Sequence, residues 1–180
     1  MAAPTTLYRF KIDVSDVSRG SYETLDLRAA QHPSETEGYL LTRVIAFALN
    51  HEPGLAFTGE GLGNPDEPCL SMPDSYGGLR LWIEIGNPSA RKLHKAAKAS
   101  KVVKVYTYKN PESLMKEISQ NEVHRKKEVE FYSLEPELLE SLAEKLEKEN
   151  RWTLIHDEGS LMIDTRQGAV QGELHRHYLP

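Results

Sequence analysis

The chain has 180 residues, of which 39% are hydrophobic and 27% are charged, and this is the composition of an ordinary globular protein. The formal net charge of -5 counts against a protein that binds nucleic acid over its whole surface, although basic residues can still be grouped locally. The length predicts one domain spanning residues 1–180.

Three features of the sequence predict the cellular compartment of the protein. The N-terminus lacks the basic segment followed by an apolar one that marks a secretory signal. No stretch reaches the roughly 18 consecutive apolar residues of a membrane helix. Cys69 is the only cysteine, which excludes an internal disulfide and a zinc site built from several thiolates. We therefore expect a cytoplasmic protein that does not act at a membrane.

The chain opens with the alternating pattern of a half-buried strand. Thr6–Val14 alternates with a period of two residues, so that Phe10 and Ile12 share one face. After a turn at Val17–Gly20, Tyr22–Ala29 alternates again. The opening segment therefore predicts a β-hairpin.

A helix follows from Ser34 and is expected to end before Pro53. Its apolar residues recur at three and four positions: Leu41, Val44, Ile45, Ala48 and Leu49. Glu37 is in phase with this buried face, where a carboxylate needs a partner. Ser34 and Glu37 also have the spacing of a capping box, in which the two side chains bond each other's backbone amides. Glu37 is thus a capping residue or a buried functional acid, and the two roles are not exclusive.

The middle of the chain predicts a strand, a helix and a strand. A loop over Thr58–Gly78 is rich in Gly, Pro, Asp and Asn. Leu79–Ile85 has the pattern of a buried strand, Asn87 and Pro88 are suited to begin a helix, and Val102–Tyr108 is the next strand. The short connections predict a parallel βαβ pair at the centre of the sheet.

The remaining elements complete an α+β fold with a mixed central β-sheet flanked by helices. They are a helix over Pro111–Gln120, a charged linker over Asn121–Lys127, a strand over Val129–Ser133, a helix over Glu135–Glu149, and a hairpin of Trp152–Ile155 with Leu161–Ile163.

Two acids in the middle of the chain are expected to meet. If Glu67–Met72 pairs antiparallel with Leu79–Ile85, Asp66 lies beside Glu84. Neighbouring carboxylates repel, and a hard divalent cation, magnesium or manganese, is their natural partner. Each acid alone has an ordinary interpretation, Asp66 as a loop acid and Glu84 as a solvent-facing strand residue. Together they predict a metal site, to which Glu37 is a third candidate ligand.

The other candidate motifs are better explained without a catalytic or metal site. His156–Ser160 contains the residue types of a hydrolase triad, but adjacent positions in a turn cannot adopt the required geometry. His175 and His177 could hold a metal from one strand face, although a histidine-rich end is more often incidental. Arg125–Lys127 could contact a phosphate backbone, but it is interpreted as a solvated linker.

Four segments of the chain resemble the YaeQ family, over nearly the whole length. They are His32-Pro33-Ser34-Glu35-Thr36, Asp66-Glu67-Pro68, Leu81-Trp82-Ile83-Glu84-Ile85-Gly86 and Val105-Tyr106-Thr107-Tyr108. The order of elements resembles the core of the PD-(D/E)XK nuclease superfamily. This resemblance implies a restriction-endonuclease-like core with extra hairpins.

The resemblance also implies roles for the acids. Asp66 matches the aspartate of the superfamily motif, Glu84 its second acid, and Glu37 the helix acid of several branches. The motif has a lysine two residues after the second acid, where this chain has Gly86. Related enzymes supply that charge from the following helix. The candidates there are Lys92 and Lys95. Periodicity places Lys92 on the flank of the apolar stripe of this helix and directs Lys95 nearly away from the stripe. The family resemblance favours Lys95.

Two functions follow from this reading. The first is a metal-dependent phosphodiesterase acting on DNA or RNA, in which Asp66 and Glu84 hold magnesium, Glu37 supports it and a lysine orients the attacking water. The second is a nuclease fold that has lost catalysis and serves as a nucleic-acid or protein interaction module. Gly86 favours the second.

Overall fold

The computed structural model describes residues 4–58 and 66–180. The contacts of the chain cluster into two compact units. The first unit contains Met1–Leu49 and Leu134–Leu174, and the second contains Asn50–Ser133 and His175–Pro180. Each unit combines helices with strands, so the prediction of a mixed α+β fold is confirmed. The assignment of residues 1–180 to one domain stays a prediction.

The described residues form ten strands, four α-helices and one 3-10 turn. They are β1 (Thr6–Asp16), β2 (Ser21–Gln31), α1 (Glu37–Asn50), β3 (Ala56–Phe57), β4 (Leu70–Pro73), β5 (Leu79–Ile85), α2 (Ala90–Ala99), β6 (Ser100–Thr107), α3 (Pro111–Gln120), a 3-10 turn (Lys126–Glu128), β7 (Glu130–Leu134), α4 (Pro136–Glu144), β8 (Glu149–Asp157), β9 (Ser160–Thr165) and β10 (Gly168–His177). Among these helices, none has both the length and the apolar character needed to span a membrane.

The first unit has its strands in the order β2-β1-β8-β9-β10. The predicted hairpin is confirmed, because β1 and β2 pair antiparallel from Thr6 opposite Gln31 to Asp16 opposite Ser21. Strand β8 pairs parallel to β1, and this places Trp152 on the same face as Phe10, with the two rings 5.0 Å apart. The buried alternation of β1 thus forms the core of this unit.

Helix α1 differs from its prediction in two respects. Every residue from Tyr39 to Asn50 is buried, so this part of the helix is buried on all sides and not only on the predicted apolar face. Its N-terminus is capped by Thr36, whose Oγ1 accepts a hydrogen bond from the Tyr39 amide at 3.1 Å. The predicted capping box of Ser34 and Glu37 is therefore wrong. Ser34 instead contacts His32 Nδ1 at 2.7 Å, and Glu37 is exposed in the first helical turn.

The second unit has its strands in the order β7-β6-β5-β4-β3. Strands β5, β6 and β7 are parallel, and β4 and β3 continue the sheet antiparallel. Helices α2 and α3 cover one face through a buried cluster that includes Trp82, Leu93, Val105, Leu114 and Phe131. The predicted parallel pair joined by a helix is confirmed.

The C-terminal third contains one strand more than predicted. Helix α4 ends at Glu144, before the predicted Glu149, because the Asn150 side chain bonds both the amide and the carbonyl of Glu147 and closes a turn into β8. The predicted hairpin of β8 and β9 is confirmed, and β10 adds a further antiparallel strand beside β9.

The basic segment Arg125–Lys127 is largely exposed, but two of its side chains also bond the ends of helices. The Arg125 guanidinium donates to the carbonyl oxygens of Ala97, Ser100 and Lys101 at 2.7, 2.8 and 3.1 Å, so it caps the end of α2. The Lys126 ammonium donates to three carbonyl oxygens at the end of α3. Basic groups in these positions satisfy carbonyls that the helices leave unpaired.

The capping role predicts that Arg125→Ala lowers the free energy of unfolding by about 1–2 kcal/mol, the size expected for charged hydrogen bonds at a partly exposed site. Lys127→Ala, at an exposed neighbouring position, is the control and should change it by less than about 0.5 kcal/mol. Urea denaturation of both variants measures the difference. Equal effects of the two substitutions would rule out a specific cap.

Candidate functional site

Glu84 is a buried carboxylate near the carboxyl end of β5. The strand is buried on both faces from Leu81 to Ile85, and Glu84 itself is only 2% exposed. A carboxylate in this position needs hydrogen bonds or a charge partner. It has both.

Three donors surround the Glu84 carboxylate. Trp82 Nε1 donates to Oε1 at 2.7 Å, and Lys92 Nζ lies 3.0 Å from Oε2. The Cys69 thiol lies 3.7 Å from Oε2. Trp82 precedes Glu84 by two residues in the strand, so the two side chains share a face. Cys69 is brought there by the antiparallel strand, since its amide bonds the Ile83 carbonyl at 3.0 Å.

Lys92 comes from the first turn of α2. The Ser89 hydroxyl accepts a hydrogen bond from the Lys92 amide at 3.2 Å and thereby caps the helix. The chain turns from β5 into this helix at Gly86, whose φ of +92° is a conformation that side chains other than glycine rarely adopt. A lysine at position 86 would therefore be strained, whereas Lys92 reaches the carboxylate from a regular helix.

The environment of Glu84 shifts its acidity. Burial raises the pKa of Glu84 above its ordinary value of 4.5, although the neighbouring Lys92 and the bonds from Trp82 and Cys69 act in the opposite direction. Between 4.5 and the raised pKa the native state binds more protons than the unfolded state. The stability that Glu84 contributes is thus fully present below pH 4.5 and is lost as the pH rises through the raised pKa.

We therefore predict a pH-dependent difference between the wild type and Glu84→Gln. The free energy of unfolding of the wild type, relative to that of the variant, should fall as the pH rises from about 4 to 8, because glutamine does not titrate. Urea denaturation at a series of pH values measures both proteins, and their difference cancels the titration of all other groups. A difference that stays constant, or rises with pH, would contradict the raised pKa.

Asp66 forms the second acid–lysine pair. Its Oδ1 lies 2.8 Å from Lys95 Nζ, and the two side chains are 69% and 53% exposed. The hydrogen bond from Lys95 lowers the pKa of Asp66 below its ordinary value, and the charge of Lys95 acts in the same direction. Lys95, which helical periodicity alone would direct away from the apolar stripe and which the family resemblance kept as a candidate, thus contacts one of the two acids.

An open groove of about 590 Å³ joins these side chains. It is lined by Asp66, Ser89, Arg91, Lys92, His94 and Lys95. Lys92 and Lys95 are three residues apart, so they lie on the same side of α2. The groove is thus predominantly basic, with one acid in its lining and Glu84 beneath it at Lys92.

The predicted site residues are distributed over both units. Asp66, Glu84, Lys92 and Lys95 belong to the second unit, in which Glu84 contacts Lys92 and Asp66 contacts Lys95. Glu37 belongs to the first unit and is exposed, so its predicted burial is wrong. Its assignment as a third metal ligand stays a prediction. The predicted pairing of β4 with β5 is confirmed from Leu70 opposite Ile83 onwards.

The buried acid near the start of α1 is Glu35, which the sequence interpretation missed. Its side chain is 1% exposed, and its Oε2 lies 3.1 Å from Arg43 Nη2. The Arg43 guanidinium also donates to the Ala30 carbonyl at 2.7 Å. The sequence did contain a sign of this buried acid. Arg43 is the one charged residue in the apolar run Tyr39–Leu49, and a charge there requires a buried partner.

Two other histidines, His156 and His177, contact polar side chains. The chain turns between β8 and β9 at Glu158 and Gly159, both with positive φ, so the interpretation of His156–Ser160 as a turn is confirmed. His156 Nδ1 lies 3.0 Å from Asp16 Oδ1. His177 Nε2 contacts the Ser133 hydroxyl at 2.7 Å in the second unit.

Comparison with known proteins gives concordant matches. The family model described as YaeQ protein matches residues 1–174. The chain is 34% identical over 108 residues to "Uncharacterized protein YaeQ" of Escherichia coli (strain K12) and, to the same extent, of Shigella flexneri. Each alignment covers 60% of this chain and 59% of the relative, so the match spans about three fifths of the length of these curated relatives.

Two crystal structures share the fold over nearly the full length. The YaeQ protein from Xanthomonas axonopodis pv. citri aligns with a TM-score of 0.89 and 31% identity, covering 98% of this chain and 100% of that one. The YaeQ protein from Pseudomonas syringae aligns with a TM-score of 0.85 and 28% identity, covering 97% of each chain.

Proposed function

Because the chain belongs to the YaeQ family, whose resemblance to nucleases was noted above, we propose that it is a metal-dependent phosphodiesterase acting on nucleic acid. The proposal includes a restriction-endonuclease-like PD-(D/E)XK core formed by β4, β5, α2 and β6. The observation that carries it is the pair of Glu84 and Lys92, a buried acid at the end of β5 with a lysine from the following helix 3.0 Å away.

The carboxylate oxygens of Asp66 and Glu84 are of the ligand type that magnesium binds. Carboxylate oxygens are the ligands that this ion prefers, and Asp66 and Glu84 supply them next to lysines on the same side of α2. Glu84 is held in place by Trp82 and would keep its orientation when an ion binds. A bound magnesium ion would act as a Lewis acid toward the phosphate group.

The residues of the chain have separate tasks in this proposal. Asp66 and Glu84 would hold the ion. Lys92 takes the place of the motif lysine that Gly86 lacks, and its ammonium orients the water that attacks phosphorus. Lys95 and Arg91 lie along the same groove and offer positive charge to the phosphate backbone. Burial of Glu84 excludes water from the side of the carboxylate that faces the core.

A second function is supported by the same ion pairs. Each carboxylate already has a lysine as its charge partner. A protein of this kind would use the basic groove to bind nucleic acid or an acidic protein without cleaving it. The positive φ of Gly86, which disfavours a lysine at this position, points in the same direction.

A nuclease screen separates the two functions. Single- and double-stranded DNA and RNA are incubated with the wild type in magnesium or manganese, beside Glu84→Gln, Asp66→Asn and the control Asp164→Asn, an exposed acid on β9. The enzyme predicts metal-dependent cleavage that the control retains and that falls by about 100-fold or more in the two site variants. Cleavage absent in every condition would contradict catalysis. Binding without cleavage, measured by mobility shift, would support the interaction module.

A further inference from the structure

Three cationic side chains of α2 act on the Asp66 carboxylate in the groove. Lys95 Nζ lies 2.8 Å from Asp66 Oδ1, and this hydrogen bond lowers the pKa of Asp66. The charges of Lys95, Arg91 and Lys92 act in the same direction. Asp66 is therefore ionised at neutral pH, and its carboxylate occupies a position that favours an anion.

The two lysines differ in how easily they can turn to a ligand. The pair of Lys92 with Glu84 is largely buried, with side chains 21% and 3% exposed, and separating it would leave a buried carboxylate without its charge partner. The pair of Lys95 with Asp66 is exposed, so water can solvate both groups when they separate. Lys95 can thus exchange its partner, whereas Lys92 stays with Glu84.

Arg91 and His94 provide further donors on the same side of the helix as Lys95. Arg91 is exposed, and no acid in the part of the chain that the structure describes forms an ion pair with it. His94 Nδ1 accepts a hydrogen bond from the His124 amide at 3.1 Å, which leaves Nε2 as the ring nitrogen able to donate. Guanidinium and ammonium groups bind phosphate oxygens through charge-assisted hydrogen bonds. The groove therefore suits a phosphate group.

Resting on the proposed function for the class of ligand, we propose that this groove binds phosphate groups of nucleic acid without a metal ion, and that Asp66 is an internal competitor for the same cations. In the free protein the Asp66 carboxylate bonds Lys95. An arriving phosphate takes the Lys95 ammonium and the Arg91 guanidinium, and the exposed Asp66 side chain turns to water. The carboxylate thus lowers the affinity of the groove for every anion.

The same exchange favours nucleic acid over an acidic protein. A carboxylate of an acidic protein would replace the Asp66 carboxylate by a group of the same kind. A polynucleotide carries closely spaced phosphates with bound counterions, and it releases these counterions when cationic side chains neutralise the phosphates. This release adds a driving force that a single carboxylate does not have.

Binding of a fluorescently labelled thymidine oligonucleotide, measured by fluorescence anisotropy at low salt in EDTA, tests the competition. Because no metal is present, cleavage does not contribute. Asp66→Asn should tighten binding by about 3- to 10-fold, since it removes both the partner of Lys95 and a negative charge beside the phosphate. Asp164→Asn, which changes the net charge equally at an exposed position on β9, should change it by less than about 2-fold.

Variants of the cations identify the groups that bind the phosphates. Arg91→Met and Lys95→Met should each weaken binding and reduce the slope of log K against log salt concentration by about 0.7, the value for one phosphate contact on a single strand. Lys98→Met, an exposed lysine of the same helix outside the groove, should leave the slope unchanged. The gain from Asp66→Asn should shrink when Lys95 is also methionine, because the competing pair no longer exists.

The outcomes separate this inference from the proposed catalysis. Asp66→Asn that binds no tighter than the wild type would overturn the role of Asp66 as a competitor. An oligonucleotide that neither the wild type nor Asp66→Asn binds would overturn the groove as its site. Displacement of the oligonucleotide by polyglutamate at equal charge concentration would overturn the choice of nucleic acid. A nuclease screen without cleavage, beside the expected binding in EDTA, would overturn catalysis alone.

Discussion

Lys92→Met should lower the turnover of nucleic acid by about 10²- to 10⁴-fold, the range measured for groups that handle a proton or a water molecule in the transition state. Lys92 lies 3.0 Å from Glu84. In the proposed function its ammonium takes the task of the absent motif lysine and acts on the attacking water. A group with this task acts mainly in the transition state, and turnover should therefore fall much more than metal affinity.

The measurement is the rate of cleavage as a function of metal concentration, on the substrate that the nuclease screen selects. Lys98→Met is the matched control, since it removes a lysine from the same helix outside the groove. A parallel fall in turnover and metal affinity would contradict the assigned task, because it would show that Lys92 only keeps Glu84 in place.

Arg43→Met should lower the free energy of unfolding by about 3–5 kcal/mol at neutral pH, because it leaves the Glu35 carboxylate buried without its charge partner. The two side chains are 5% and 1% exposed, so water cannot replace the lost guanidinium. Burial already raises the pKa of Glu35 above 4.5 while Arg43 opposes the shift, and removing Arg43 should raise it further. The loss of stability should therefore be small below pH 4.5, where Glu35 is protonated in both the native and the unfolded protein. It should be complete above the further raised pKa that Glu35 has in the variant.

Urea denaturation against pH measures this effect, and two variants control it. Arg43→Met combined with Glu35→Leu should recover most of the lost stability, because it removes both members of the pair. Arg9→Met breaks the exposed pair of Arg9 with Asp26 and should have a much smaller effect. A loss at Arg43 that does not change with pH would mean that lost packing, not the uncompensated charge, is the cause.

Much of the fold was predictable because local patterns determine it. The hairpin of β1 and β2 follows from strict alternation, and the βαβ segment follows from an apolar strand, a capped helix and a second strand with short connections. The parallel pairing of β8 with β1 was not predictable in this way. It joins segments about 140 residues apart, as Asp16 opposite His156 illustrates, and no local signal encodes such a partner.

The start of α1 shows why an acid was assigned to the wrong environment. Glu35 and Glu37 are two residues apart, and helical phase alone directs Glu37 toward the core. Thr36 is the cap, so Glu37 lies in the first turn, where it is exposed, and Glu35 precedes the helix and contacts Arg43. The choice between Ser34 and Thr36 depends on competing hydrogen bonds, and the Ser34 hydroxyl is engaged by His32.

The two lysines differ in how well the sequence could assign them. Lys92 is on the flank of the apolar stripe of α2, and its predicted approach to Glu84 agrees with the 3.0 Å contact. Periodicity alone directed Lys95 away from the apolar stripe, whereas the family resemblance kept it as a candidate, and its ammonium contacts Asp66. Helical periodicity gives the direction of Cβ but not the reach of a flexible lysine.

An anomalous difference map from crystals soaked in manganese tests the metal site most directly. The proposed function predicts a peak bound by the carboxylates of Asp66 and Glu84, with the Lys92 ammonium displaced from Glu84 and the peak absent in Glu84→Gln. Crystals that show no peak at these carboxylates, with Lys92 and Lys95 still paired to Glu84 and Asp66, would contradict the proposed metal-dependent phosphodiesterase.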